Sequence, residues 1–114
     1  MQVATTIPGI TAEAAAQAVQ AAVRYAESHG WKINVAVADR SGNLMAFLRM
    51  PGAFLHSIDL AIDKAYTAAS FGFRTKDWMS IVGGDEGMKL GFSATPRLIV
   101  FGGGLPIRLD GESE

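Results

Sequence analysis

Between positions 49 and 64 the chain gathers most of its chemically capable side chains: Arg49, His56, Asp59, Asp63 and Lys64. His56 titrates near neutral pH and can carry a proton or ligate a metal. Arg49 offers a planar fork that matches a carboxylate. Lys64, if partly desolvated, has a lowered pKa and can act as acid or base. His56 with Asp59 or Asp63 supplies two metal ligands at helical spacing, with no third in the neighbouring sequence.

The spacing around these residues predicts a helix capped by Ser57. At 100° per residue, Ile58, Ala61, Ile62, Ala65, Ala68 and Ala69 form an apolar stripe that faces a sheet. Asp59, Asp63, Tyr66 and Ser70 fall roughly opposite, as a wet acidic face. His56, Leu60, Lys64, Thr67 and Phe71 make a third strip beside the apolar one. Lys64 has no acidic residue three or four positions away, so the helix itself offers no ion-pair partner. Two readings stay open. Either the Lys64 stem lies along Leu60 and Phe71 with its ammonium in water, or Lys64 and His56 point into a pocket or subunit wall.

The elements that must position these groups are legible around them. "TAEAAAQAVQAAVRYAESHG" predicts a helix capped by Thr11 and ended by Gly30, with His29 suited to its negative end. "INVAVADRSGNLMAFLRM" predicts a hairpin turning at Asp39 to Gly42. Leu44, Ala46 and Leu48 share one face; Met45, Phe47 and Arg49 share the other. Met45 and Met50 are core filling or soft ligands. "TKDWMSIV" predicts a short helix capped by Thr75, and "GGDEGMKLGFSATPR" a loop or irregular arm. Leu98 to Phe101 predicts a strand, and Ile107 the start of another. Gly102, Gly103 and Gly104 could offer backbone N–H groups to an oxyanion or cofactor. The two carboxylates of "GGDEG" would repel a phosphate.

A chain of 114 residues, 49% of them hydrophobic, predicts one domain, 1–114, with a real core. Only 18% are charged, which favours self-association. A net charge of -1 points to neither nucleic acid nor an anionic membrane. No cysteine is present, which removes disulfides, thiolate sites and covalent haem attachment. The first residues show neither a basic, apolar leader nor a membrane span, so a cytoplasmic location is expected.

The stretch "VAVADRSGNLMAFLRMPGAFLHSIDLAIDKAYTAASFG" resembles the GlcG/HbpS-like family, which includes the C-terminal domain of PduO-type proteins. The matching positions are Val37, Asp39, Gly42 and Leu44, then Arg49, Met50, Gly52 and Ala53. Ser57, Ala61, Lys64, Ala65, Thr67 and Ala68 continue the match on the following helix, and "GGGLPI" resembles the family's late glycine–proline element. The resemblance implies an α/β (α+β), profilin-like fold, an antiparallel sheet with helices on both faces. On the family pattern a C-terminal strand and helix are missing here. It also implies homo-oligomers, from dimers up to octamers. Three function classes follow. One is a small-molecule or tetrapyrrole binder, with haem as cofactor and His56 as its axial and metal ligand, and with Arg49, Gly102 and Gly103 at the cofactor. Another is a catabolic enzyme acting by tautomerisation or hydrolysis on a small hydroxy, keto or enamine carboxylate, with Lys64, His56 and Arg49 catalytic. The third is a catabolic accessory subunit without chemistry. The arm around Met88 to Phe92 is expected to pack on a neighbouring subunit.

Overall fold

The computed structural model describes residues 1–108. Helix α1 runs Ala12–Ser28, and the Thr11 hydroxyl caps it by accepting from the Ala14 N–H at 3.1 Å. Its Ala15 and Val19 are small enough to press against a sheet, and both are buried against Val37. At the other end His29 stacks between Tyr25 and Trp31, with ring centroids 4.4 and 4.5 Å away.

Strands β1 (Asn34–Ala38) and β2 (Leu44–Arg49) pair antiparallel, with Val35 opposite Leu48 and Val37 opposite Ala46. The turn between them depends on Asp39. Its carboxylate accepts from the N–H of Ser41 and Asn43 and from the Asn43 amide, at 2.8 to 3.0 Å. Gly42 closes the turn at φ +87°, and a Cβ there would stand 2.7 Å from the Tyr66 ring. Only glycine meets both conditions.

Helix α2, His56–Phe71, begins one residue before the expected cap. Ser57 therefore lies inside the first turn. Its N–H reaches the Phe54 carbonyl, and no side chain caps the helix. Helix α1 packs across both strands and α2 mainly on β1, and the two helices share no contact. They cover opposite faces of the sheet, so the α+β arrangement with helices on both faces is present. Among the described residues that sheet has two strands.

The last third departs from expectation in three places. Residues 98–101 form no ladder; the segment returns along α2 instead. Ile107 and Arg108 are likewise outside any strand, and the continuation of that expected strand lies outside the described residues. Glu86–Ser93, read from the sequence as an irregular arm, is helix α4. Its two glycines weaken helix propensity, but the Asp85 carboxylate caps it by accepting from the Met88 N–H at 3.0 Å. Before it, a 3₁₀ turn over Thr75–Asp77 leads into α3, Trp78–Val82. Trp78, 2% exposed, meets Phe71, Phe73 and Phe92 at 4.8 to 5.1 Å. The arm's aromatic residue thus packs within its own chain, while Met88 and Leu90 stay exposed.

The return segment is held by two threonines. Thr67, 1% exposed, accepts from the Ile99 N–H at 3.1 Å. Its hydroxyl proton can go to the Asp63 carbonyl at 2.8 Å or the Arg97 carbonyl at 3.0 Å. Thr75 does not cap α3. Its hydroxyl accepts from the Gly104 N–H at 2.8 Å while its own N–H donates to the Gly104 carbonyl at 3.0 Å. Thr67→Val keeps the side-chain shape and strands the Ile99 N–H in a buried place. A stability loss of about 1–3 kcal/mol is expected in urea unfolding, and wild-type stability in that variant would contradict this role for the hydroxyl.

Candidate functional site

A cavity of about 890 Å³ opens between β1, the inner face of α2 and the segment 103–108. That size suits a small ligand or a cofactor. Its wall includes all of β1 and, from α2, Ala61, Ala65, Ala68 and Ala69. Alanine is the reason the space exists: four short side chains on one helical stripe leave a gap where larger ones would fill it. The stripe that the sequence assigned to the sheet therefore forms both packing surface and cavity wall.

Lys64 stands in that wall. Burial pushes its pKa below the ordinary lysine value. Its Nζ lies 4.7 Å from the Phe101 ring centroid, a cation–π contact. Among the described residues no carboxylate pairs with it. Gly103 and Gly104 make this arrangement possible. A Cβ on Gly103 would stand 2.8 Å from Lys64 Nζ, and one on Gly104 would stand 2.7 Å from the Lys64 carbonyl oxygen. The two glycines are thus needed for close approach to α2.

The charges around the cavity are one-sided. Among the described residues Lys32, Arg40, Lys64 and Arg108 line it, against Asp39 alone among acids, and Arg108 donates to the Gly72 carbonyl at 2.9 Å. Hydrogen bonds, first from the Asn43 amide, hold the Asp39 carboxyl below its ordinary pKa. That carboxylate is committed to the hairpin turn. The site is therefore an apolar floor with a surplus of cations.

The other expected residues are placed elsewhere. His56 is exposed at the start of α2 and outside the cavity wall. Arg49 is exposed at the end of β2, where its guanidinium donates to the Ala53 carbonyl at 2.9 Å. Gly102 packs on Lys76 rather than on Lys64. Of the residues singled out by sequence, the structure brings Lys64 and Gly103 together and leaves His56, Arg49 and Gly102 apart from them. Asp63 is not a free wet carboxylate: it pairs with Arg97 at 2.9 Å, and the Arg97 guanidinium covers the Tyr66 ring at 3.7 Å. No group of three or more metal-ligating side chains occurs among the described residues. No helix among them is long and apolar enough to cross a membrane. Lys32, Arg40 and Arg108 were missed in the sequence because they are far apart along the chain; only the fold collects them.

Similarity to known proteins agrees with this architecture. The family described as haem degrading protein HbpS-like matches residues 10–113. An uncharacterized 15.0 kDa protein from the dhaT–dhaS intergenic region of Citrobacter freundii is 35% identical, over 93% of this chain and 75% of its own. The crystal structure of a double mutant of Streptomyces reticuli HbpS superimposes with a TM-score of 0.83 at 35% identity, covering 95% of this chain and 71% of that one. The crystal structure of a PduOC:heme complex gives 0.75 at 31% identity, over 85% and 71% of the two chains.

The lowered pKa of Lys64 has a consequence for stability. Between its folded value and its ordinary value the unfolded chain binds more protons than the folded one, so stability rises with pH across that interval. Below it the desolvation cost of the ammonium is fully present. Lys64→Met should remove that rise. Urea unfolding at neutral pH and at about pH 10 checks it, and an equal rise in wild type and variant would show that Lys64 titrates as a solvated lysine.

Proposed function

The chain belongs to the HbpS-like family, and on that premise we propose that it binds a flat, largely apolar anion of the tetrapyrrole class, haem included, in the cavity between β1 and α2. The observation that carries this reading is the surplus of cations around an apolar floor. The similarity to a protein crystallised with heme supports it.

The residues present fit the organic part of such a ligand. Ala65 and Ala68 offer an apolar wall, and Lys64, with Lys32 and Arg108, offers counter-charges for carboxylates. They fit the metal less well. The wall contains no histidine, methionine or tyrosine among its described residues. His56 lies about 12 Å along α2 from Lys64 at the rise of an α-helix. His56 is exposed and outside the wall, although the wall reaches its neighbour Ser57. When bound, haem supplies an iron for ligand binding or redox chemistry. The chain's own part is to hold the carboxylates and to exclude water from one face of the ring.

A haemin titration followed by the Soret band tests this. Wild type should bind, Lys64→Met should bind about tenfold more weakly, as loss of one charge-assisted contact implies, and His56→Ala should bind as wild type does. Loss on His56→Ala alone would move the site to the helix start. No Soret change with wild type would remove the tetrapyrrole reading.

A small carboxylate as the ligand is the second reading, favoured by the partly desolvated amine of Lys64. In either case the reading includes a homo-oligomer, because Phe54, Leu55, Ile81 and Leu90 are exposed. Light scattering on the eluting protein should give a mass above the 12.1 kDa of one chain; a single-chain mass at micromolar concentration would exclude it.

A further inference from the structure

Lys64 is held at a cavity wall, and among the described residues no carboxylate pairs with it. Its Nζ touches the Phe101 ring and approaches the backbone of Gly103, whose missing side chain leaves the space beside the amine. Among the described residues three more cations line the same cavity, and its single carboxylate, Asp39, is tied into the hairpin turn. The other lysines differ. Lys32 and Lys76 are exposed, and Lys89 approaches Glu86 at 4.0 Å.

We propose that the Lys64 amine is a nucleophile that forms an imine with a small α-keto acid bound in this cavity. A reactive lysine needs its neutral form, and an ion-pair partner would oppose that form. Among the described residues no such partner pairs with Lys64, and desolvation favours the neutral amine. Lys32, exposed and lining the same cavity, gives the substrate's carboxylate a counter-charge without occupying the nucleophile. The step balances without an oxidant or reductant. The nitrogen lone pair attacks the carbonyl carbon, and a proton passes from nitrogen to oxygen, giving a carbinolamine. The hydroxyl then leaves as water, taking one proton, and a C=N bond to Lys64 remains. Hydrolysis reverses it. The reaction uses the same cavity as the tetrapyrrole reading but needs neither iron nor a macrocycle, so a failed haemin titration leaves it intact.

Trapping tests it on the whole chain. The protein is incubated with pyruvate and sodium cyanoborohydride, which reduces the imine to a stable secondary amine, and the lysines are mapped by peptide mass spectrometry. Lys64 should be labelled several-fold faster than Lys32, Lys76 and Lys89, because burial leaves more of its amine neutral and the cavity holds the keto acid beside it. Acetaldehyde has the carbonyl without the carboxylate and should show less preference for Lys64. Lys64→Arg should leave only the slow labelling of the others. Equal labelling of all four lysines, or Lys64 lagging behind them, overturns the proposal. A preference equally strong with acetaldehyde overturns its keto-acid part. The wild-type map decides the matter even if Lys64→Arg does not fold.

Discussion

Two buried hydroxyls hold the last described segment on α2, and the site depends on them. Thr67 binds the backbone at Arg97 and Ile99, and Thr75 binds both polar groups of Gly104. The segment between these ties forms no strand ladder. Its middle, Phe101 to Gly103, is exposed, so without the ties its N–H and C=O groups would turn to water. Phe101 would then leave Lys64, and Gly103 and Gly104 would cease to form a wall. The chemistry at Lys64 is thus a consequence of two contacts made by neighbouring side chains, three residues farther along the same helix in the case of Thr67.

Helix α2 treats its two flanks differently. On one flank Asp63 pairs with Arg97, and the guanidinium lies on Tyr66. Charge there is matched and the aromatic ring is covered. On the other flank Lys64 is partly desolvated beside Phe101 and the glycine segment, and among the described residues no carboxylate pairs with it. Cation–π contact offsets part of that cost but leaves the proton easier to lose than in water. A stable fold gains nothing from leaving one cation unmatched while its neighbour one position away is fully paired. An anionic ligand of the kind proposed would supply the missing half.

The hairpin, the first helix and its Thr11 cap were legible because their signals are local: a cap, an alternation, and an Asp-to-Gly turn. The lack of an acidic neighbour for Lys64 was legible for the same reason. The return segment was not. "LIVF" has strand composition, and only the distant hydroxyls of Thr67 and Thr75 decide that it runs along a helix. Helix α4 was hidden by Gly87 and Gly91, although Asp85 was a readable cap. His56 misled in the opposite way. Helical spacing aligns it with Lys64, yet its side chain is exposed at the first position of α2 and does not line the cavity, although its neighbour Ser57 does. A helical wheel treats every position as if neighbours enclosed it, and the first residue of a helix has fewer of them.

The same cavity explains why an anion suits this site better than a neutral molecule. Met50 donates to the Ile33 carbonyl, so Ile33 belongs to the pairs that bond across the ladder. Alternation then turns the backbone groups of Asn34 and Ala36 away from β2, along the cavity wall. Their N–H groups are donors fixed in the frame of the sheet. Lys64, beside the Phe101 ring, and Arg108, which donates to the Gly72 carbonyl, line the same cavity. The alanine stripe of α2 offers nothing polar, so the backbone donors of β1 and the cations are what the cavity presents to a ligand's oxygen atoms. The proposed ligands, a macrocycle and a three-carbon keto acid, share those oxygens, and that common chemistry is what both proposals draw on.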